Sequence, residues 1–246
     1  MLDSPDEHQE IRDAVRDLCG QFPDAYFRRI DEQRGYPEAF VDALIGAGWL
    51  AAMIPEEYGG SGLGLTAASV IMEEINRSGG NAAAVHGQMD NMGTLLRSGS
   101  AAQKAKYLSD IAAGKLRIQS MAVTEPGAGT DTTRIKTSAV KKDGRYVVNG
   151  QKVWISRVQH SDLMILLART TPFAEVEKKS AGMSIFIVDL RQAVGNGLSV
   201  RPIANMVNHE TNELFFDNLE IPEENLIGEE GRGFKYLLEG LNAERA

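Results

Sequence analysis

Cysteine is nearly missing from this sequence: Cys19 is the only one in 246 residues. That excludes an internal disulfide and a thiolate zinc cluster, fits a reducing compartment, and leaves Cys19 as a small core residue of the first helix. Basic charge is also scarce, since 26 Lys and Arg against 34 Asp and Glu leave a formal net charge of -8. A nucleic-acid binder shows a basic patch, so that class is excluded. No apolar run approaches the roughly 20 residues that a membrane span needs. His8, His86, His160 and His209 are scattered without the spacing of a metal pair, and the carboxylates form no calcium loop, so no metal is expected. Internal repeats and low-complexity tracts are absent. What remains, 43% hydrophobic and 24% charged residues, is the composition of a soluble globular protein.

The chain divides by its hydrophobic period. Ser4-Pro5-Asp6-Glu7 is a capping-box start, after which Ile11, Val15 and Leu18 fall on one helical face. Pro37 opens a second stripe through Phe40, Ala43 and Leu44, closed by Gly46-Ala47-Gly48. Thr66 to Ile75 and Ala82 to Leu96 also read as helices, and Ser100 with Gln103 forms a further capping box before Tyr107, Leu108 and Ile111. Beyond the stretch 114–118 the pattern changes to short runs rich in Val, Ile, Leu and Phe. These are 115–124, 138–142, 145–149, 151–156, 163–170, 184–189, 198–203 and 212–219, separated by turn signals such as Asp143-Gly144 and Asn149-Gly150. Strands so spaced predict an antiparallel barrel or sandwich, with 171–182 as an exposed excursion.

Two segments carry chemistry. Met121-Ala122-Val123-Thr124-Glu125-Pro126-Gly127-Ala128-Gly129-Thr130-Asp131 joins an apolar strand to a glycine-rich turn whose backbone N–H groups can approach an anion closely. A dinucleotide fingerprint is ruled out, because its third glycine would fall on Thr132 and no βαβ unit follows. Asn149-Gly150-Gln151-Lys152-Val153-Trp154-Ile155-Ser156 reads as a tight hairpin turn feeding a strand that ends in an aromatic and a hydroxyl. Taken alone, the first segment also suits an ordinary β-domain connection, Trp154 suits a core aromatic, and Glu244 beside Arg245 suits a helix surface.

Those two segments, together with Ile54-Pro55-Glu56-Glu57-Tyr58-Gly59-Gly60-Ser61-Gly62-Leu63, Gln103-Lys104-Ala105-Lys106-Tyr107-Leu108, Ile221-Pro222-Glu223-Glu224-Asn225-Leu226-Ile227-Gly228 and the stretch 231–245, resemble the acyl-CoA dehydrogenase family in the same order along nearly the whole chain. The resemblance implies an all-α N-terminal domain at 1–116, an antiparallel β-barrel-like middle domain at 117–229, and at 230–246 the first helix of a C-terminal helical bundle. It implies FAD as cofactor, bound by Met121, Val123, Thr124, Gly129, Thr130, Trp154, Ile155 and Ser156, with the Ser156 hydroxyl toward the flavin N5. It implies an acyl-CoA substrate held by Thr130, Asn242 and Arg245, and Glu244 as the catalytic base in one subset of the family, others carrying the base further along the bundle.

Three departures stand out: Met121 where an aromatic is common, the Arg157-Val158-Gln159-His160 run where small residues are usual, and Asn242 where Asp is frequent. The implied partners are an electron-transferring flavoprotein and further copies of the chain, as a tetramer or dimer. The acidic start Met1-Leu2-Asp3 is unlike a basic leader, so a cytoplasmic location is expected. A chain ending where this one does is expected to bind FAD weakly and to turn over little. Two alternatives stay open. One is a flavin monooxygenase or oxidase on the same fold, marked by rapid reoxidation in air. The other is a catalytically silent relative acting as a binding module.

Overall fold

The computed structural model describes residues 8–207 and 209–244, with 241–244 described in their backbone alone. Six helices come first: α1 Gln9–Cys19, α2 Asp24–Glu32, α3 Glu38–Gly46, α4 Leu65–Arg77, α5 Ala83–Ser98 and α6 Ala101–Ala112. The capping box expected before α1 lies outside the described residues. That of α6 is complete: Gln103 N–H donates to Ser100 Oγ at 3.1 Å, and Ser100 N–H donates to Gln103 Oε1 at 2.9 Å. The Gln103 amide goes further and donates to the carbonyls of Glu224 and Leu226, each at 2.8 Å, so a local helix signal also ties this helix to the end of the sheet. Cys19 is buried beside Val15, Phe40 and Ile71 in a core formed by the first helices.

The strands are β1 Ser120–Ala122, β2 Ser138–Lys142, β3 Arg145–Ser156, β4 Leu163–Arg169, β5 Met183–Asp189, β6 Leu198–Pro202, β7 Thr211–Pro222 and β8 Leu226–Ile227, with a short helix α7, Leu190–Ala193, after β5. They form one sheet in the order β6-β7-β3-β2-β4-β5-β8, with β1 added beside β4. The fold class is the expected one, helices followed by a β domain. Two details differ. The sheet is mixed, since β1 and β2 both run parallel to β4, and it does not close into a barrel. Parallel pairing needs a long crossover, and the β2–β3 hairpin lying between β1 and β4 in sequence supplies one.

β4 is buried at every position, because both faces are covered. Leu163, Ile165 and Leu167 pack with Met92, Leu95 and Leu108 of the helices. Met164, Leu166 and Ala168 pack with Tyr146 and Val148 of β3 and Leu214 and Phe216 of β7. The sheet therefore curves over itself, and its middle strands are shared between the helical layer and the β3–β7 face. A last helix, α8 Gly233–Glu244, packs into the first of these cores through Leu237, and the Arg97 guanidinium of α5 donates to its Gly240 carbonyl.

Asn149-Gly150 is not a hairpin turn. β3 runs straight through it, and the hairpin is at Asp143-Gly144, where both residues have positive φ. At Gly150, φ is +151° and a Cβ would come 2.5 Å from Thr137 Oγ1, so glycine admits a bulge against β7, whose register shifts there. The Asn149 side chain accepts from Asn218 N–H across this bulge. The same residue pair thus serves a different irregularity, because β7 offered a partner long enough to continue the ladder. The excursion 171–182 is largely exposed as expected, and buried Arg169 holds its end by donating to the carbonyls of Ile135 and Ala181.

Candidate functional site

The glycine-rich turn is anchored from below. Glu125 and Ala128 exchange backbone hydrogen bonds of 3.1 Å each way, which closes a tight turn over Pro126 and Gly127. The Glu125 carboxylate faces inward, accepts from Lys136 and Thr137 N–H at 2.7 and 2.9 Å, and meets the Lys152 ammonium at 3.0 Å. Lys152 is fully buried and also donates to the Val123 carbonyl at 2.8 Å. Burial works against the charge of both. It pulls Lys152 down to about 8 despite its partner. For Glu125 the burial cost is outweighed by the Lys152 ammonium and the hydrogen bonds from 136 and 137, so its carboxyl stays below the usual value. Gly127 and Gly129 have no positive φ, and a Cβ on Gly127 would meet nothing within 4 Å. Here glycine leaves an open surface and the backbone itself is unstrained.

The second segment lies alongside. Val153 N–H donates to the Thr124 carbonyl at 3.0 Å, so the turn and the end of β3 are neighbours. Trp154 is the irregular residue. Its φ is +64°, the β3–β7 register shifts across it, and its side chain is 58% exposed. A bulky residue in the left-handed region is strained, and a core aromatic would not be turned to solvent. The core-aromatic reading of Trp154 is thereby corrected. Arg157, at φ +60°, follows the same irregular backbone.

The third wall is α5. Asn91 donates its amide to the Gly87 carbonyl at 2.7 Å and to the Ile118 carbonyl at 3.1 Å, which fixes the rotation of the helix against the strand entry. His86, Gly87, Asp90 and Asn91 then border a cleft of about 170 Å³ whose other sides are Gln119, Met121, Trp154, Ser156 and Arg157. A Cβ on Gly87 would lie 2.6 Å from the Arg157 guanidinium and 2.8 Å from the Gln119 carbonyl, so this glycine admits the arginine. Burial lowers the pKa of that guanidinium, which donates from Nε to Gln119 O at 3.3 Å. Behind it Tyr36 stacks on His160 at 4.0 Å and donates to Gln119 Oε1 at 2.6 Å. Burial raises the Tyr36 phenol to about 12 and lowers the His160 imidazole, so both are neutral near pH 7. Within the run 157–160, Arg157 thus borders the cleft with His160 behind it, while Val158 packs in the core of the sheet and Gln159 hydrogen-bonds the Asn212 amide.

Of the expected site residues, Met121, Trp154 and Ser156 meet in the cleft, and Thr124 joins them through the Val153 hydrogen bond. Val123 is half-buried at the Lys152 contact, and Gly129 and Thr130 are exposed on the turn outside the cleft. Ile155 departs from its expected place: its side chain is 2% exposed and packs in the core beneath the sheet, because alternation along β3 points it away. Asn242 and Glu244 lie on α8, their side chains outside the described residues, and Arg245 is outside altogether. His86, Gly87, Asp90, Asn91 and Gln119 were not singled out as site residues. The signal available was the four-residue spacing of His86 with Asp90 and of Gly87 with Asn91 on a helix otherwise read as plain scaffold. Cavities of about 190 and 280 Å³ beside α6 are larger, but neither contains a strained aromatic or any of the two motif segments.

Models of the acyl-CoA dehydrogenase N-terminal domain and of the acyl-CoA dehydrogenase middle domain match residues 5–115 and 120–219. The chain is 36% identical to cyclohex-1-ene-1-carbonyl-CoA dehydrogenase of Syntrophus aciditrophicus, over all of this chain and 58% of that protein. It is 32% identical to mitochondrial isovaleryl-CoA dehydrogenase of Arabidopsis thaliana, over 98% of this chain and 58% of that protein. The crystal structure of acyl-CoA dehydrogenase from Geobacillus kaustophilus superposes with a TM-score of 0.89 at 31% identity, over 98% of this chain and 63% of that one. The chain thus spans about three-fifths of the length of these relatives.

Proposed function

We propose that this chain, which belongs to the acyl-CoA dehydrogenase family, forms the helical and β-sheet parts of an enzyme that desaturates an acyl-CoA thioester between its α and β carbons with FAD. The observation that carries this is Trp154, held in a strained backbone so that its ring is offered to the cleft beside the Ser156 hydroxyl. The residues fit a flavin. Trp154 and Met121 offer a flat and a polarizable surface, Ser156 a hydroxyl donor, and the open turn at Thr124, Gly129 and Thr130 its unhindered backbone. Val123 and Ile155 contribute through their backbone, since Ile155 is buried. A bound flavin supplies the acceptor for the β-hydride. The chain's own part is to bind and orient the thioester, exclude water with Trp154 and the α5 wall, and take the α-proton on a carboxylate. Glu244 is proposed for that step, and Asn242, Arg245 and Thr130 for the CoA portion.

Domain limits at 116/117 and 229/230, a cytoplasmic location, a dimer or tetramer, and an electron-transferring flavoprotein as electron acceptor belong to the same proposal. Among the described residues no helix is long and apolar enough to cross a membrane. The test is anaerobic addition of saturated acyl-CoA thioesters to the flavin-loaded protein expressed from its full reading frame. Bleaching of the flavin absorbance, with slow return in air, is expected. Rapid return with peroxide release would instead identify an oxidase, and no bleaching by any thioester would overturn the reading.

A further inference from the structure

We propose that the cleft selects acyl-CoA thioesters whose acyl group carries a hydroxyl beyond the β carbon, with Asn91 and Gln119 as the two residues that recognise it. The inference rests on the acyl-thioester reading of the cleft and names the substrate class within it. Asn91 Oδ1 and Gln119 Nε2 belong to residues that border the cleft and are each 1% exposed, and neither atom has a hydrogen-bond partner among the described residues. Buried polar atoms are otherwise satisfied by protein, water or ligand, and one left unpaired costs the desolvation of its group. Gln88 Nε2, Thr94 Oγ1 and Ser120 Oγ are unpaired as well, but those residues do not line this cleft.

The polarity of the two atoms is set by their neighbours. The Asn91 amide nitrogen donates to the Gly87 and Ile118 carbonyls at 2.7 and 3.1 Å, and turning the amide over would set its oxygen against both. The Tyr36 phenol, which burial keeps protonated, donates to Gln119 Oε1 at 2.6 Å, so that Nε2 is left over. The cleft thus presents one acceptor and one donor. They stand on adjoining walls, since Asn91 is bonded to the carbonyl of Ile118, the residue just before Gln119. A hydroxyl answers both, because it donates one proton and accepts through its lone pairs. A keto oxygen accepts from Gln119 but leaves Asn91 Oδ1 unpaired, and a hydrocarbon leaves both.

The acyl chain, more than the flavin, is what reaches Asn91. The contacts proposed for the flavin, Met121, Thr124, Trp154 and Ser156, come from β1, β3 and the turn between them. Asn91 comes from α5, where His86 and Asp90 border both the cleft and an apolar recess lined by Met53, Leu65, Met72 and Met89. Methionine suits an apolar body of varied shape, so hydrocarbon is directed to this side. A site that hydrogen-bonds a substrate hydroxyl rejects the analogue lacking it more strongly than an apolar pocket rejects one methylene.

The experiment uses the protein from its full reading frame with FAD added. Calorimetry gives its affinity for α,β-unsaturated acyl-CoA thioesters, which oxidised flavin does not convert, with straight, branched and cyclic acyl groups. Each is compared with derivatives carrying a hydroxyl at successive carbons beyond β. At one or more positions wild type is expected to bind the hydroxyl derivative about tenfold or more tighter than its parent. Asn91→Leu and Gln119→Met are each expected to bring that ratio to about one. The keto derivative at the same carbon is expected to lose affinity in Gln119→Met and to keep it in Asn91→Leu, a split that a merely structural role would not produce. No hydroxyl preference at any position in wild type, or a preference unchanged in either variant, would overturn the proposal. Weaker FAD binding in the variants with the hydroxyl preference intact would assign the two amides to the flavin and overturn it too. Should one variant not fold, the other decides; should neither fold, the wild-type ratios for hydroxyl and keto derivatives decide. Absence of binding by every thioester would sink the acyl-thioester reading itself and this inference with it.

Discussion

Trp154 pays a conformational cost that packing does not return. Left-handed backbone at a bulky residue costs on the order of 1–2 kcal/mol, and a side chain 58% exposed recovers little of it by burial. Trp154→Gly is therefore expected to lower stability by less than about 1 kcal/mol, where a buried Trp would cost about 3–5. Urea denaturation of the cofactor-free protein checks this, and a loss in the larger range would return Trp154 to the core. Gly87 is the opposite case, a residue that looks incidental in sequence and is sterically committed. Gly87→Ala places a methyl against both the Arg157 guanidinium and the rigid Gln119 carbonyl, and is expected to cost about 1–3 kcal/mol. Restoration by adding Arg157→Ala would show that the arginine is what the glycine accommodates. That Met121, Trp154 and Ser156 are neighbours in one cleft was legible because they sit in two recognisable motifs. Asp90 and Gly87 were not, since a helix hides which of its faces meets a neighbour.

At the scale of elements, the signals that were read correctly were those satisfied locally. Ser100 and Gln103 cap α6 through bonds within one turn, and nothing distant overrides them. Asn149-Gly150 was misread because the same dipeptide serves a hairpin or a bulge, and only the partner strand decides. The mixed sheet was also beyond local reach: parallel pairing of β1 with β4 is set by strands more than 40 positions apart, a register that no neighbouring residue encodes. The contact between the glycine turn and β3 depends on the Glu125–Lys152 pair. Breaking a buried pair from one side leaves an uncompensated charge, so Glu125→Gln is expected to cost about 3–5 kcal/mol. Adding Lys152→Met should recover most of that loss. A double-mutant cycle by chemical denaturation tests it, and additive losses would mean that the two side chains act independently.

The whole molecule joins a helical layer to a curved sheet, and a buried carboxylate inside that layer contributes to its acid stability beside Glu125 at the sheet, whose carboxyl is also held below its usual value. Glu74 of α4 is fully buried and is met by Arg12 at 3.0 Å and Arg16 at 3.1 Å from α1. Burial would raise its pKa, but the arginine hydrogen bonds prevail and the carboxyl titrates below its ordinary 4.5. A depressed carboxyl contributes stability above the unfolded value and loses it as the pH falls through the folded one. The urea midpoint is therefore expected to drop between pH 5 and pH 3, and Glu74→Gln to lower the midpoint at pH 7 while flattening that drop. An unchanged pH dependence in the variant would place the acid sensitivity elsewhere.

The most direct test of a flavin site shared by the Thr124 turn and the end of β3 is an FAD titration of the protein from its full reading frame, followed by the flavin absorbance band. Saturable binding is expected, weakened about tenfold or more, or about 1.4 kcal/mol, by Trp154→Ala and by Gly129→Val, with both variants folded. Equal affinity in wild type and both variants, or no binding by the wild type, would contradict it.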